Sequence, residues 1–404
     1  MSAVVTGVGV VAPNGADTEA YWSATLAGQS GLRHTGAEVP TRSPIRVAGV
    51  ARDFAPKRHV PGRLMVATDR WTQLALAATA QALDDSGIDL DAVPEYERGV
   101  VLASSSGGNE FGQREIQSLW AQGPRQVTVY QSIAWFYAAS TGQVSIRHGF
   151  KGPCGNIVAE QTGAIQALQQ TGRLLARGAR VVLTGGTEAP LSPYAMLCQA
   201  QSGWVSRASH PERAYQPFDR GAGGYVPGEG GGVLVVEDAE QARARGARNL
   251  YAEVAGLAAT TDPPPSSGRP PALRPAIETA LAQAGTGPGE VDVVFADAMG
   301  VPDLDAQEAR TLAAVFGRRA VPVTAPKTMT GRLYAGGAAL DLVTAALAIR
   351  DGVVPPTVGV VDPAYPDLLD LVSAARPAAL RTALVIARGH GGFNACAVLR
   401  RVER

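Results

Sequence analysis

Cysteine is scarce in these 404 residues, with only Cys154, Cys198 and Cys396. An odd number without metal-type spacing argues against a secreted disulfide framework and a cysteine-held metal, and leaves three reduced structural thiols. Charge of neither sign is in excess: 36 Lys and Arg face 36 Asp and Glu. No basic footprint argues for nucleic acid and no polybasic segment for an anionic membrane, so neither is expected as a partner. No apolar run reaches the length of a membrane span. The opening residues MSAVVTGVGVVAPNG carry neither a basic leader nor a small-residue cleavage site, which points to a cytoplasmic protein. Lysine is nearly absent as well: Lys57, Lys151 and Lys327 stand alone among 36 basic residues.

Apolar and small residues are plentiful, 46% hydrophobic with 47 glycines, enough for a large core divided into more than one unit. The spacing predicts a buried strand over Val4–Val11, stopped by Pro13-Asn14-Gly15, and a helix from Asp69 to Asp84 with N-cap chemistry at its start. Val100–Ala103, Val181–Thr184 and Gly231–Glu237 read as further apolar strands. The proline-rich run 262–271 is a loop. Beyond it, helices at Ala276–Ala284, Asp305–Val315 and Ala338–Arg350 alternate with strands at Val291–Phe295, Val321–Thr324, Ala383–Ala387 and Ala395–Leu399. This alternation predicts an α/β fold with sheets covered on both faces, in two halves spanning 1–250 and 251–404. No close sequence repeat relates the halves, so any symmetry between them must be structural.

Gly7-Val-Gly9 imitates a dinucleotide fingerprint, but Pro13-Asn14-Gly15 falls where the phosphate-binding helix should begin. Gly228-Glu-Gly-Gly-Gly232 precedes an apolar strand instead of following one, so it reads as a tight turn feeding that strand. The histidines, His34, His59, His148, His210 and His390, form no i,i+4 metal pair and no triad. His390 alone has glycines on both sides, within Arg388-Gly-His-Gly-Gly-Phe393. Two features remain unexplained by bulk composition. The stretch CGNIVAEQTGAIQAL, residues 154–168, passes from an apolar run into a helical segment at Glu160-Gln161. Such an elbow favours a thiolate or alkoxide at the helix N-terminus, and Gln161 is neither. On the predicted helix Asn109–Trp120, Asn109, Gly112 and Ile116 share one stripe, an odd core face unless Gly112 simply admits a close neighbour.

Four ordered motifs resemble a known family along essentially the whole chain: Val158-Ala-Glu-Gln-Thr-Gly163; Tyr215-Gln-Pro-Phe-Asp219 followed by Gly224-Tyr-Val-Pro-Gly-Glu-Gly-Gly231; Pro326-Lys-Thr-Met-Thr-Gly331; and the loop Gly389–Phe393. The family is the β-ketoacyl synthases of the thiolase-like superfamily, and within it the chain-length factors of type II polyketide synthases. The resemblance implies a thiolase-like fold, two related α/β halves forming a layered αβαβα core. It also implies that Gln161 stands where an active ketosynthase carries its acyl-accepting cysteine. Met299 and Arg332 stand where it carries the two histidines that serve malonyl decarboxylation. Met299 donates no strong hydrogen bond and Arg332 cannot cycle a proton near neutral pH, while Lys327 matches the family's lysine.

No catalytic residue is therefore expected, and no cofactor of the chain's own, since the acyl chain would ride on the phosphopantetheine of a partner acyl carrier protein. The implied role is a non-nucleophilic subunit that forms a heterodimer with a catalytic ketosynthase alpha subunit and shapes the tunnel in which the polyketide grows. In that role Asn109, Gly112, Ile116 and the nearby Ile133 would line the tunnel, and His390 and Phe393 would form a gate loop. These tunnel residues are smaller than the aromatics of octaketide-type relatives, so a product of decaketide length or beyond is expected. The alternative is malonyl-acyl-carrier-protein decarboxylation through the Gln161 amide, although loading ketosynthases that work this way keep both histidines. A purely structural reading has that amide completing the hydrogen bonding of the elbow.

Overall fold

The computed structural model describes residues 2–36 and 43–403. One sheet of eleven strands runs through it: Ala3–Val11 (β1), Arg98–Ala103 (β2), Cys154–Ile157 (β3), Val181–Glu188 (β4), Gly230–Asp238 (β5), Ala252–Thr261 (β6), Val293–Phe295 (β7), Pro322–Thr324 (β8), Asp370–Leu371 (β9), Thr382–Gly389 (β10) and Phe393–Arg400 (β11). Read across, the order is β9-β8-β7-β10-β11-β6-β1-β5-β4-β2-β3. Pairing of Val4 with Glu253 and of Val5 with Ala252 joins β1 to β6 and welds two halves together.

From that junction outward, the N-terminal half places its strands first, fifth, fourth, second, third in chain order. The C-terminal half does the same, with the short β9 added at its edge. Directions agree too: the first two pairings of each half are antiparallel and the next two parallel. The two halves thus share a topology that their side chains do not advertise.

The helices that position the site are Arg70–Ser86 (α1), Asn109–Gln122 (α2), Gly163–Leu175 (α3), Pro193–Gln201 (α4), Leu273–Ala284 (α5), Pro302–Phe316 (α6) and Ala335–Asp351 (α7). Helices α3 and α7 each follow the third strand of their half and pack together against the sheet in one core. Helices α1 and α5 cover the opposite face in two separate cores. Helix α7 is buried from Ala335 to Ile349, as expected of a helix that is apolar all round and lies at the centre of a large protein.

Several boundaries differ from the sequence reading for local reasons. Helix α6 begins at Pro302, whose fixed φ suits the first helical position. Helix α7 starts three residues early, through Gly336 and Gly337, which the helical spacing disfavours. Strand β6 escapes prediction because AEVAGLAATT is poor in β-branched and aromatic residues. Cys154 opens the edge strand β3. The cluster Gly228–Gly232 is not a turn but mostly strand. Gly231 has φ +150, and a Cβ there would stand 2.1 Å from the Gly186 carbonyl oxygen and 2.9 Å from Gly336 Cα. The glycines let β5, β4 and α7 meet backbone to backbone. Among the described residues no helix is long and apolar enough to cross a membrane, and no cluster of His, Cys, Asp and Glu could hold a metal.

Candidate functional site

The elbow that follows β3, the turn 297–300 that follows β7 and the segment 326–332 that follows β8 converge around one cavity. At the elbow, β3 ends at Ile157 and a 3-10 turn over Glu160–Thr162 leads into α3. Glu160 takes φ 48, a left-handed conformation that few non-glycine residues adopt. Its carboxylate accepts from the Gln161 N–H at 2.6 Å and the His390 N–H at 3.2 Å. Gln161 itself is fully buried, and neither atom of its amide has a hydrogen-bond partner. The amide lies against Gly337 in the first turn of α7, where a Cβ would come within 2.3 Å of Nε2. The structural reading of Gln161 is therefore corrected: Glu160, not Gln161, completes the hydrogen bonding of the elbow.

The turn Asp297-Ala298-Met299-Gly300 is held by carboxylates from α6. Glu308 accepts from the Asp297 and Ala298 N–H groups at 2.8 and 2.9 Å, and Asp305 from Gly300 and Phe218 at 3.0 and 2.8 Å. Burial pushes the Asp305 carboxyl up to about 7, against its hydrogen bond from Phe218. Met299 is buried in an apolar cluster with Tyr215, Tyr225 and Met196. The Arg332 guanidinium donates to Asp297 Oδ1 at 2.9 Å, to the Asp297 carbonyl at 3.2 Å and to the Arg388 carbonyl. Burial works against its charge, but Asp297, Tyr215 and Glu160 together outweigh it, so the group is held charged well above its ordinary value. Lys327 donates to the carbonyls of Ala296 and Asp297 at 2.6 and 3.1 Å and pairs with buried Asp341 at 2.8 Å. Every cation here is committed to the fold.

A cavity of about 530 Å³ opens beside this network, walled among others by Glu160, Trp204, Tyr225, Met299, Arg332 and His390. Gln161 is not on its wall. His390 rests against the Trp204 ring, centroids 4.5 Å apart, and Phe393 opens β11 across the hairpin from Gly389. Cys198 reaches the cavity from α4, Cys154 lies on the edge strand, and burial drives the Cys396 thiol far above its ordinary value. None sits at the elbow.

A second depression, about 320 Å³, is lined by Asn109, Gly112, Gln113, Ile116, Gln117, Trp135 and Tyr194. The stripe Asn109, Gly112, Ile116 is thus brought together on one wall, while Ile133 lies off it on the short helix Gln131–Ala134. Helix α2 is firmly fixed. Asp69 accepts from Trp71 at 3.1 Å and Phe111 at 2.7 Å, joining the first turns of α1 and α2, and buried Glu115 accepts from the Thr128 N–H at 2.6 Å. Glu188, at the end of β4, binds the N–H groups of Ser105 and Ser106 and the Ser106 hydroxyl in the loop leading to α2.

Burial raises Asp69 to about 7 and Glu188 from 4.5 to about 8, in each case against hydrogen bonds that favour the carboxylate. The folded chain holds these protons more tightly than the unfolded chain. Their contribution to stability is therefore complete below the ordinary carboxylate range and is lost as pH rises to about 8. Glu188→Gln is expected to flatten the fall in the urea midpoint between about pH 5 and pH 8.

Sequence reading missed Glu160, Asp297, Asp305, Glu308, Gln113, Gln117, Trp135 and Tyr194. Of the acids, Asp297 carries a signal in hindsight, since it interrupts the otherwise apolar segment 293–301. So does the aromatic run Trp135-Phe136-Tyr137.

Residues 2–242 match the model of the beta-ketoacyl synthase N-terminal domain, and residues 251–361 that of its C-terminal domain. The chain belongs to the beta-ketoacyl synthase family. It is 54% identical over 401 residues, 98% of each chain, to the tetracenomycin polyketide synthase ketoacyl synthase beta subunit of Streptomyces glaucescens. It is 52% identical over 402 residues, 99% of each chain, to the actinorhodin polyketide putative beta-ketoacyl synthase 2 of Streptomyces coelicolor. Among solved structures, the ishigamide ketosynthase/chain length factor matches with TM-score 0.88 and 26% identity, over 100% of this chain and 99% of that one. A type II polyketide synthase acyl-carrier protein in complex with its ketosynthase bound to the hexaketide matches with TM-score 0.88 and 25% identity, at the same coverage. The chain has the thiolase-like ketoacyl synthase fold and is similar to beta subunits of polyketide systems.

Proposed function

We propose that the chain is a chain-length factor: a subunit without a nucleophile that pairs with a catalytic, cysteine-bearing ketosynthase alpha subunit and shapes the tunnel of a growing polyketide. The observation that carries this reading is the elbow, where a fully buried Gln161 stands behind the cavity wall while Arg332 and Lys327 are consumed by internal ion pairs. A ketosynthase needs a nucleophile at the elbow and proton-mobile donors facing it, and Gln161, Met299 and Arg332 supply neither. The acyl chain reaches the complex on the phosphopantetheine of an acyl carrier protein, as the similarity to a carrier-protein complex supports. Malonyl decarboxylation through Gln161 is not favoured, because its amide faces Gly337 and not the cavity.

Pairing has its own support. Strand β3 ends the sheet with an open edge, and large apolar side chains are exposed near it and on α2: Trp120 is 83% exposed, Val129 80%, Val158 56% and Phe136 54%. Open strand edges and exposed apolar surface are what an obligate partner covers. The depression on α2 then becomes one wall of the tunnel, with Asn109, Gly112 and Ile116 facing the polyketide and His390 and Phe393 at the gate of the neighbouring cavity. Ile116→Phe in the assembled pair is expected to shift the dominant product to a shorter chain, measured by mass spectrometry of the products. An unchanged distribution would count against a tunnel wall at α2.

A further inference from the structure

We propose that Trp135 and Gly112 act as a pair that sets the depth of the groove on α2, the indole as the wall and the missing side chain as the seat that admits it. The inference rests on the tunnel role proposed above and names the residue that limits it. A Cβ at Gly112 would lie 3.0 Å from Cδ1 of Trp135 and 3.7 Å from its Nε1. The space that a small residue at position 112 frees is therefore occupied by a ring from a neighbouring segment. Absence of bulk on the helix does not lengthen the groove at this point.

The ring, not the backbone, is what can move. The Gly108 N–H donates to the Trp135 carbonyl at 3.2 Å, and a Cβ at Gly108 would stand 2.1 Å from the Ala134 carbonyl oxygen. Gly107 has φ +63, and a Cβ there would stand 3.1 Å from the Trp135 carbonyl oxygen and 3.3 Å from the Tyr137 ring. This glycine turn clamps the chain on both sides of Trp135, whose side chain stays half exposed at 49%. A side chain at 112 thus meets the indole, and the ring has to shift within the groove it lines. Ile133, the residue that the resemblance places in the tunnel, takes no part in its walls.

The groove suits a poly-β-ketone. Asn109, Gln113 and Gln117, at i, i+4 and i+8 of α2, line the depression together with Trp135. Gln113 Oε1 is engaged by the Tyr194 N–H at 2.8 Å, which leaves its NH₂ free to donate to ketone oxygens. The indole offers the flat apolar face that the methylene edges of such a chain require.

The test compares product lengths from the assembled heterodimer with carrier protein and malonyl donor. Trp135→Ala is expected to move the dominant product up by at least one ketide unit and Gly112→Ala to move it down. In the double variant the effect of Gly112→Ala is expected to vanish, because the ring it displaces is gone. A Gly112→Ala effect that persists without Trp135 overturns the pairing. If Trp135→Ala does not assemble, Trp135→Phe is expected to give a smaller shift in the same direction, and no shift overturns the proposal. If Ile116→Phe shortens the product while the Trp135 variants change nothing, the pair fails and the tunnel wall stands. If none of these variants alters chain length, the tunnel wall itself fails and takes the pair with it.

Discussion

Arg332→Met is expected to destabilise the chain by about 3–5 kcal/mol, the cost typical of removing one partner from a buried ion pair. Arg332 and Asp297 have side chains 3% and 0% exposed and meet at 2.9 Å. Methionine fills much of the volume, so the loss is electrostatic. The Asp297 carboxylate would keep only the Arg388 N–H at 2.7 Å, and the Asp297 and Arg388 carbonyls would each lose a donor. A comparison isolates the effect: Arg350, which pairs with Asp351 at 2.6 Å on the surface, should cost no more than about 1 kcal/mol when changed to Met. Urea unfolding of both variants measures the difference. Equal and small losses would mean that Arg332 is not the post that holds the turn 297–300 against β10.

The second large effect is one of activity withheld. Gln161→Cys is expected to leave the chain without condensing activity, at least a thousandfold below an active ketosynthase, because a nucleophile alone restores one of three lost functions. The new sulfur would be buried behind the cavity wall beside the Glu160 carboxylate. Burial, with a further push from Glu308, drives the thiol of Cys396 strongly upward, and burial beside Glu160 would likewise keep a cysteine at 161 protonated. Met299 and Arg332 would still offer no donor to an enolate and no mobile proton. Product formation by the isolated variant from acyl and malonyl carrier protein is the readout. Rapid condensation would show that the cavity retains catalytic machinery that these residues do not reveal.

Strands with dense β-branched residues were legible in the sequence, as Val4–Val11 and Val181–Thr184 show, because burial on both faces leaves a continuous apolar run. The sheet's twofold organisation was not, since topology is set by which edges pair and not by side-chain identity. At the site, the family resemblance located Gln161, Met299, Arg332 and Lys327. Which of them would be exposed was hidden, because it depends on Gly337 making room for the Gln161 amide from a helix 176 positions further along the chain. Local spacing placed Asn109, Gly112 and Ile116 on one stripe of α2. It could not place Trp135 opposite them, because that contact is made by a glycine turn that folds the 134–137 segment back over the helix. Spacing along one element reports its own face; what sits across from that face is tertiary information.

The central claim is that this chain shapes a polyketide without ever carrying it. Its most direct measurement is the location of acyl label in the assembled pair, after incubation with isotope-labelled malonyl and acyl groups on acyl carrier protein and separation of the two subunits by mass spectrometry. Label confined to the cysteine of the partner ketosynthase, with this chain unmodified throughout turnover, is the predicted result. A labelled thioester on this chain, at Cys198 above all, or polyketide made by this chain in isolation, would contradict it.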